Sequence, residues 1–136
     1  MIDHIQPPGL GPALGQYVQV THDPASGLVF VAGQVAIDSE GEMVGIGDIA
    51  AQTVRTFDNV RTALAGAGSS LADTLKLMTY LVDPAHLPAF REARTRLFAE
   101  YFPDGAYPAH TLVIVSALSA PEHLIEIEAV AVRRRK

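Results

Sequence analysis

Cysteine is absent from this 136-residue chain, which excludes disulfides, thiolate nucleophiles and thiolate metal sites together. Charge is sparse: only 18% of residues carry it, and the formal net charge is -5 with a pI near 5.4. A chain of that sign does not attract polyphosphate, so nucleic acid is not an expected partner. Its one basic run, Arg133-Arg134-Arg135-Lys136, reads as a solvated tail. No apolar stretch is long enough to span a bilayer, and Met1-Ile2-Asp3-His4 lacks the basic-then-apolar pattern of a signal peptide. The expectation is a cytoplasmic protein without membrane contact. There is no P-loop, no GxGxxG after a strand, no HExxH and no GxSxG elbow. The five histidines, His4, His22, His86, His110 and His123, show no close ligand spacing, so no metal site is expected. Without a repeat, a low-complexity segment or a long linker, residues 1–136 read as one domain.

Hydrophobic residues, by contrast, make up 49% of the chain. A domain of 14.5 kDa has little interior in which to hide so much apolar surface, which favours a buried contact between copies. The first dozen residues, rich in Pro and Gly, read as an irregular arm. Gln16 to Val20 reads as a strand, followed by a turn over 22–27 and a buried strand from Leu28 to Ala32. Gly33 bulges or ends that strand, and Gln34 to Ile37 continue it. Asp48 can cap a helix whose inner face is Ile49, Thr53, Phe57, Val60 and Leu64, with Gly66 or Gly68 stopping it. Leu75 to Val82 is a strand with Leu75, Leu77, Thr79 and Leu81 on one face. After Asp83-Pro84 a second helix buries Phe90, Ala93, Leu97 and Tyr101. Strands at Thr111 to Ala117 and Leu124 to Val132 complete an α+β order in which two helices cover one face of a sheet. The other face must meet water or another subunit.

Three stretches carry candidate chemistry. In Leu124-Ile125-Glu126-Ile127-Glu128-Ala129-Val130 both carboxylates project from one strand face, which Val130 and Val132 continue. The pattern fits a solvated strand edge. It equally fits a partly desolvated glutamate, whose raised pKa would let it move protons near neutral pH. His110, in Tyr107-Pro108-Ala109-His110-Thr111-Leu112, stands at the mouth of a strand, as a locally bonded histidine or as a proton carrier or anion contact. Ala32-Gly33-Gln34 is a plain bulge or a place where a ligand approaches the glycine amide.

Taken together, the chain resembles the RidA-like family, also called YjgF/YER/UK. The matching pieces are Gly15-Gln16-Tyr17-Val18-Gln19, Ala32-Gly33-Gln34-Val35, Gln52-Thr53 with Asn59-Val60, Tyr107-Pro108-Ala109, and the run from Ile125 to Val132. They cover nearly the whole chain in the family's order, and the last run is the most specific. The resemblance implies a chorismate-mutase-like fold, a mixed sheet with two helices on one face, assembled as a homotrimer with ligand clefts between subunits. It implies a hydrolase without a cofactor that converts reactive enamines and imines to ketoacids and ammonia. Carried over, Glu126 helps place water, Gly33 supplies a backbone contact between Ala32 and Gln34, and Tyr17 closes the cleft. Glu128 falls to a structural role.

Two positions depart from the family. Ala32 replaces a serine, and His110 replaces the arginine that grips the substrate carboxylate, with Leu112 two residues on where cysteine is frequent. A guanidinium is always charged and binds a carboxylate through two parallel bonds, whereas an imidazole is mostly neutral at pH 7 and makes one. Losing a charged partner inside a pocket costs about 2–5 kcal/mol. The expectation is therefore a deaminase-type hydrolase with small-molecule substrates that is inefficient on 2-aminoacrylate, with Glu126, His110 and Tyr17 as catalytic groups and Gly33, Ala32, Gln34 and Leu112 lining the substrate site. Arg91, Arg94 or Arg96 could supply a substitute charge, although the sequence places none of them. The competing readings are a non-catalytic metabolite- or protein-binding module on the same trimer, and RNA cleavage, against which the acidic balance argues.

Overall fold

The alternation from Ile125 to Val132 organises the molecule. Ile125, Ile127, Ala129 and Ala131 are buried, while Glu126, Glu128, Val130 and Val132 are half-buried on the opposite face. A computed structural model describes residues 1–134, so Arg135 and Lys136 of the basic tail lie outside the described residues. In it the strands β1 (Asp3–Ile5), β2 (Val20–His22), β3 (Leu28–Gln34), β4 (Thr74–Leu81), β5 (Ala109–Ile114) and β6 (Ile125–Val132) form one sheet in the order β1-β2-β3-β6-β4-β5. β4 and β5 are parallel and the other pairings antiparallel, so the sheet is mixed as expected. The helices α1 (Ile49–Gly66) and α2 (Leu87–Tyr101) lie on the face to which Ile125 and Ile127 point.

α1 starts where Asp48 accepts a hydrogen bond from the Ala51 amide at 3.0 Å. It ends at Gly66. Gly68 then takes φ +72°, and the Gly68 and Ser69 amides bond back to Ala65 and Leu64. Phe57, Val60 and Leu64 sit in one core with Val29, Val31, Leu77, Leu81, Ile125 and Ile127. Truncating such a fully buried residue, Ile127→Ala for instance, removes about 2–5 kcal/mol of stability. α2 contributes Phe90 and Ala93 fully, and Leu97 and Tyr101 at its margin.

The structure corrects five local expectations. The amino-terminal arm contains β1, which covers the open edge of β2 and is tied there by Asp3 to the buried His22 at 2.9 Å. The strand read over 16–20 begins only at Val20, because the chain turns tightly at Gly15, whose carbonyl accepts from the Tyr17 amide. The last residues of the 34–37 continuation leave the ladder after Gln34 and form a single bridge, Ile37 to Met43. Leu75 faces outward, since the register shifts between Thr74 and Lys76, so only Leu77, Thr79 and Leu81 share the core face. β5 also starts and ends earlier than the 111–117 reading.

On the helix-free face, Phe30, Met78, Tyr80, Val113, Val130 and Val132 surround the two glutamates by strand register. Phe30 is 49% exposed and Val113 37%, so this surface is apolar and open in the single chain. No helix is long and apolar enough to cross a membrane among the described residues.

Candidate active site

Two cavities that lie apart receive five of the predicted site residues, Tyr17, Gly33, Gln34 and Glu126 in one and His110 in the other, whereas Ala32 and Leu112 line neither. The first, about 390 Å³, is lined by Tyr17, Gly33, Gln34, His123 and Glu126 among others. Between Val31↔Ala129 and Gln34↔Ile127 the β3–β6 register gains one residue, leaving Ala32 and Gly33 as a bulge beside Glu126. A side chain at Gly33 would not fit: its Cβ would stand 2.7 Å from the Glu126 carboxyl carbon and 2.8 Å from Oε2. Glycine here is what lets a carboxylate press against the backbone.

Glu126 and Glu128 share a strand face but not a fate. The Tyr80 hydroxyl donates a short hydrogen bond to Glu128. That bond, reinforced by burial, raises the Tyr80 pKa to about 12. Glu126 makes no side-chain hydrogen bond or ion pair among the described residues, and burial, then the charge of Glu128, raises its pKa. One carboxylate is held and the other is left available.

Buried amides on α1 fix the loops around this cavity. Gln52 donates to the carbonyls of Gly45 (3.2 Å) and Glu122 (2.9 Å) and accepts from the Leu124 amide (2.9 Å). Asn59 donates to the carbonyls of Val35 and Ile37 at 2.9 and 2.8 Å. These bonds hold both the segment after the bulge and the entry to β6. Tyr17 is half exposed at the rim, and its hydroxyl accepts from the Leu14 amide at 3.3 Å. Gln34 lines the cavity, yet its Nε2 is occupied by Gln19 Oε1 at 2.8 Å and the Ala32 carbonyl at 3.0 Å. Its side chain therefore braces the bulge. Sequence reasoning passed over His123 except as a metal ligand. It is 4% exposed, and burial pushes its pKa down. Its place just before the Ile125–Val132 strand was the only available signal.

His110 lies elsewhere. In the parallel pairing it sits beside Leu77, and its Nε2 is 2.9 Å from the Oγ1 of buried Thr79, so it points to the helix side of the sheet. Leu112 shares that side and packs against the core. Within one chain, His110 and Leu112 therefore cannot join Glu126, which occupies the opposite face with Tyr80. The second cavity, about 470 Å³, is lined by His110, Tyr107 and Pro108 together with Arg94, Thr95 and Phe98 of α2. Burial, then the charges of Arg94 and Lys76, lowers the His110 pKa, so its imidazole is neutral at neutral pH. Among the described residues no group of three acidic or histidine side chains is arranged to hold a metal ion.

Comparison with known proteins places this geometry. The family model described as endoribonuclease L-PSP matches residues 10–133. A 3-aminoacrylate deaminase RutC of Acinetobacter baylyi is 38% identical over 127 residues, covering 93% of this chain and 94% of that protein. A RutC family protein of Pyrococcus abyssi is 37% identical over 118 residues, 87% of each. Among solved structures, E. coli TdcF with bound serine superimposes with a TM-score of 0.85 at 29% identity, covering 97% of this chain and 99% of that one. The E. coli YjgF gene product gives 0.84 at 28% identity, covering 97% and 99%.

Proposed function

This chain belongs to the endoribonuclease L-PSP family, the group of YjgF- and RutC-type proteins, and from that premise we propose that it hydrolyses a small reactive imine or enamine to a carbonyl compound and ammonia, without a cofactor. The observation that carries the reading is Glu126, an unpartnered carboxylate of raised pKa held against the Gly33 backbone inside a cavity. The 38% identical relative is named a deaminase of 3-aminoacrylate, an enamine.

The chemistry follows from that placement. An enamine protonated on carbon becomes an iminium. Glu126 accepts a proton from water as the new O–C bond forms at the iminium carbon, and the C=N electron pair returns to nitrogen. The proton is then delivered to that nitrogen. The C–N bond breaks, ammonia leaves, an oxygen lone pair closes the carbonyl, and the hydroxyl proton passes to water, balancing the proton that water supplied to the enamine carbon. In this reading the Gly33 amide is the backbone contact to the substrate, and Tyr17 at the rim limits the entry of bulk water. A pKa raised by burial and by the charge of Glu128 makes the ionised Glu126 a stronger base than a solvated glutamate.

The same reading makes the working unit a homotrimer. The apolar helix-free face supports association, and His110 can face Glu126 only across a boundary between copies. The expected setting is the cytoplasm. A non-catalytic binding module is the second reading, favoured by the neutral His110 where the family carries an arginine. RNA cleavage gains no support from a chain of net charge -5. The test is release of ammonia and carbonyl product from imines generated in situ by an amino-acid oxidase, carboxylated and neutral. Turnover by the wild-type chain supports the reading. Ligand binding without turnover across the panel replaces it with the binding module.

A further inference from the structure

Arg94 is a cation without an answering anion. It follows Phe90 by one turn of α2, and its guanidinium carbon lies 5.2 Å from the centre of the Phe90 ring. Arg96 pairs with Glu92 and Arg134 with Asp73, whereas Arg94 makes no ion pair among the described residues. It is half-buried, and burial and the charge of Arg91 both act against its ionised form. Guanidinium does not shed its proton in a protein, so this cost persists until an anion arrives.

The cavity in front of Arg94 has the shape and polarity to receive one. The Phe98 and Tyr107 rings stack with centroids 5.8 Å apart and an interplanar angle of 28°, giving a flat apolar wall. His110 Nε2 is engaged with Thr79, which leaves Nδ1 for a ligand. The Thr95 hydroxyl donates to the Arg91 carbonyl at 2.8 Å, which commits its proton. Among the described residues no carboxylate lines the cavity.

We propose that this cavity binds a small planar carboxylate, with the Arg94 guanidinium as its clamp, His110 Nδ1 as a second contact and the Phe98–Tyr107 wall against its flat body. The inference rests on the deaminase reading in one respect: it assigns this site to the carboxylate of the same substrate whose imine carbon meets Glu126 of a neighbouring copy. An enamine conjugated to a carboxylate is flat, as the wall requires. His110 then stands at the family's arginine position without leaving the chain short of a cation, because the charge comes from α2. The substrate class is accordingly a conjugated monocarboxylate.

Benzoate is the probe, and benzamide its uncharged control of the same shape, each titrated calorimetrically into the full chain in its native assembly. The wild-type chain is expected to bind benzoate at least about tenfold more tightly than benzamide. Arg94→Ala should abolish that difference, Arg94→Lys should keep part of it, and Glu126→Gln, which removes only a charge of the ligand's own sign, should not diminish it. Arg94→Gln, close in length, serves as the charge-free variant if alanine unsettles the helix, with thermal melts reporting folding. Failure of wild type to bind benzoate, equal affinity for the two probes, or a preference that survives removal of Arg94 overturns the proposal. An Arg94-dependent preference in a protein that turns over no imine keeps the carboxylate site and removes the deaminase reading. Turnover of carboxylated imines whose KM ignores Arg94 overturns the assignment of this site to the substrate.

Discussion

The two cavities are opposites in charge and alike in being incomplete. One presents a carboxylate with no cation, Glu126, against a backbone that only glycine can supply. The other presents a guanidinium with no anion, Arg94, beside a neutral imidazole and an aromatic wall. An unpaired buried charge destabilises a fold, so its retention points to use. The sheet keeps the two charges from neutralising each other, since Glu126 and His110 project from opposite faces. On the reading proposed above the labour is divided: proton transfer on one side, carboxylate recognition on the other, joined when copies associate.

The sharpest break of the comparison is Glu126→Gln. It removes the base while keeping shape, so kcat for imine hydrolysis should fall by about a thousandfold or more, and the oligomer should elute unchanged. Residual activity near wild type would move the proton-transfer role to another group, with His123 first in line. Next in size is Gly33→Ala. The new methyl would meet the Glu126 carboxyl at 2.7 Å and turn it away. Activity should drop about a hundredfold while benzoate affinity at Arg94 holds, with about 1–3 kcal/mol lost in stability. A parallel loss of benzoate binding would show that the two cavities are not independent.

A smaller effect tests the other side. In an Arg94→Ala background, His110→Arg returns a guanidinium to the same cavity from the strand instead of the helix. Benzoate affinity should recover by about tenfold, because cation and wall are again present. In the wild-type background the same substitution sets two guanidiniums side by side, and unliganded stability should fall. Recovery in the first background without a penalty in the second would place Arg94 away from the cavity.

The first cavity was more legible in the sequence than the second, for a physical reason. Period-two alternation from Ile125 to Val132 forces Glu126 and Glu128 onto one face, and a glycine between two strand-like runs announces a bulge. Those are local properties. The facing of His110 depends on parallel pairing with β4, and in Thr111-Leu112-Val113-Ile114 both faces are apolar, so no local pattern shows which turns to the helices. Arg94 stands among Arg91, Glu92 and Arg96, and only the crossing of α2 past Tyr107 separates it from them. Leu75 failed similarly, as a one-residue register shift reverses a side chain. β1 is three residues beside prolines, and the tie between Asp3 and His22 that holds it is a long-range one. The choice of Glu126 over Glu128 came from resemblance; its structural counterpart is the Tyr80 hydroxyl on β4, which only tertiary pairing brings to Glu128.

The gentlest probe is thermal. A group whose pKa is raised by folding favours the protonated native state, so its contribution to stability is complete below its unfolded pKa, near the ordinary glutamate value of 4.5, and is lost as pH rises through the raised native value. For Glu126 the sign therefore predicts that Glu126→Gln melts slightly above wild type at about pH 8, where the native carboxylate is ionised without a partner. The gap should close on acidification to about pH 3, where both side chains are neutral in both states. Glu128→Gln should behave in the opposite sense near neutrality, because it replaces the charged acceptor of the Tyr80 hydroxyl with a neutral amide oxygen and weakens a bond the fold uses. Equal melting shifts for the two variants would mean that the two glutamates do the same work, and the contrast between a held and an available carboxylate, on which the first half of the site depends, would be lost.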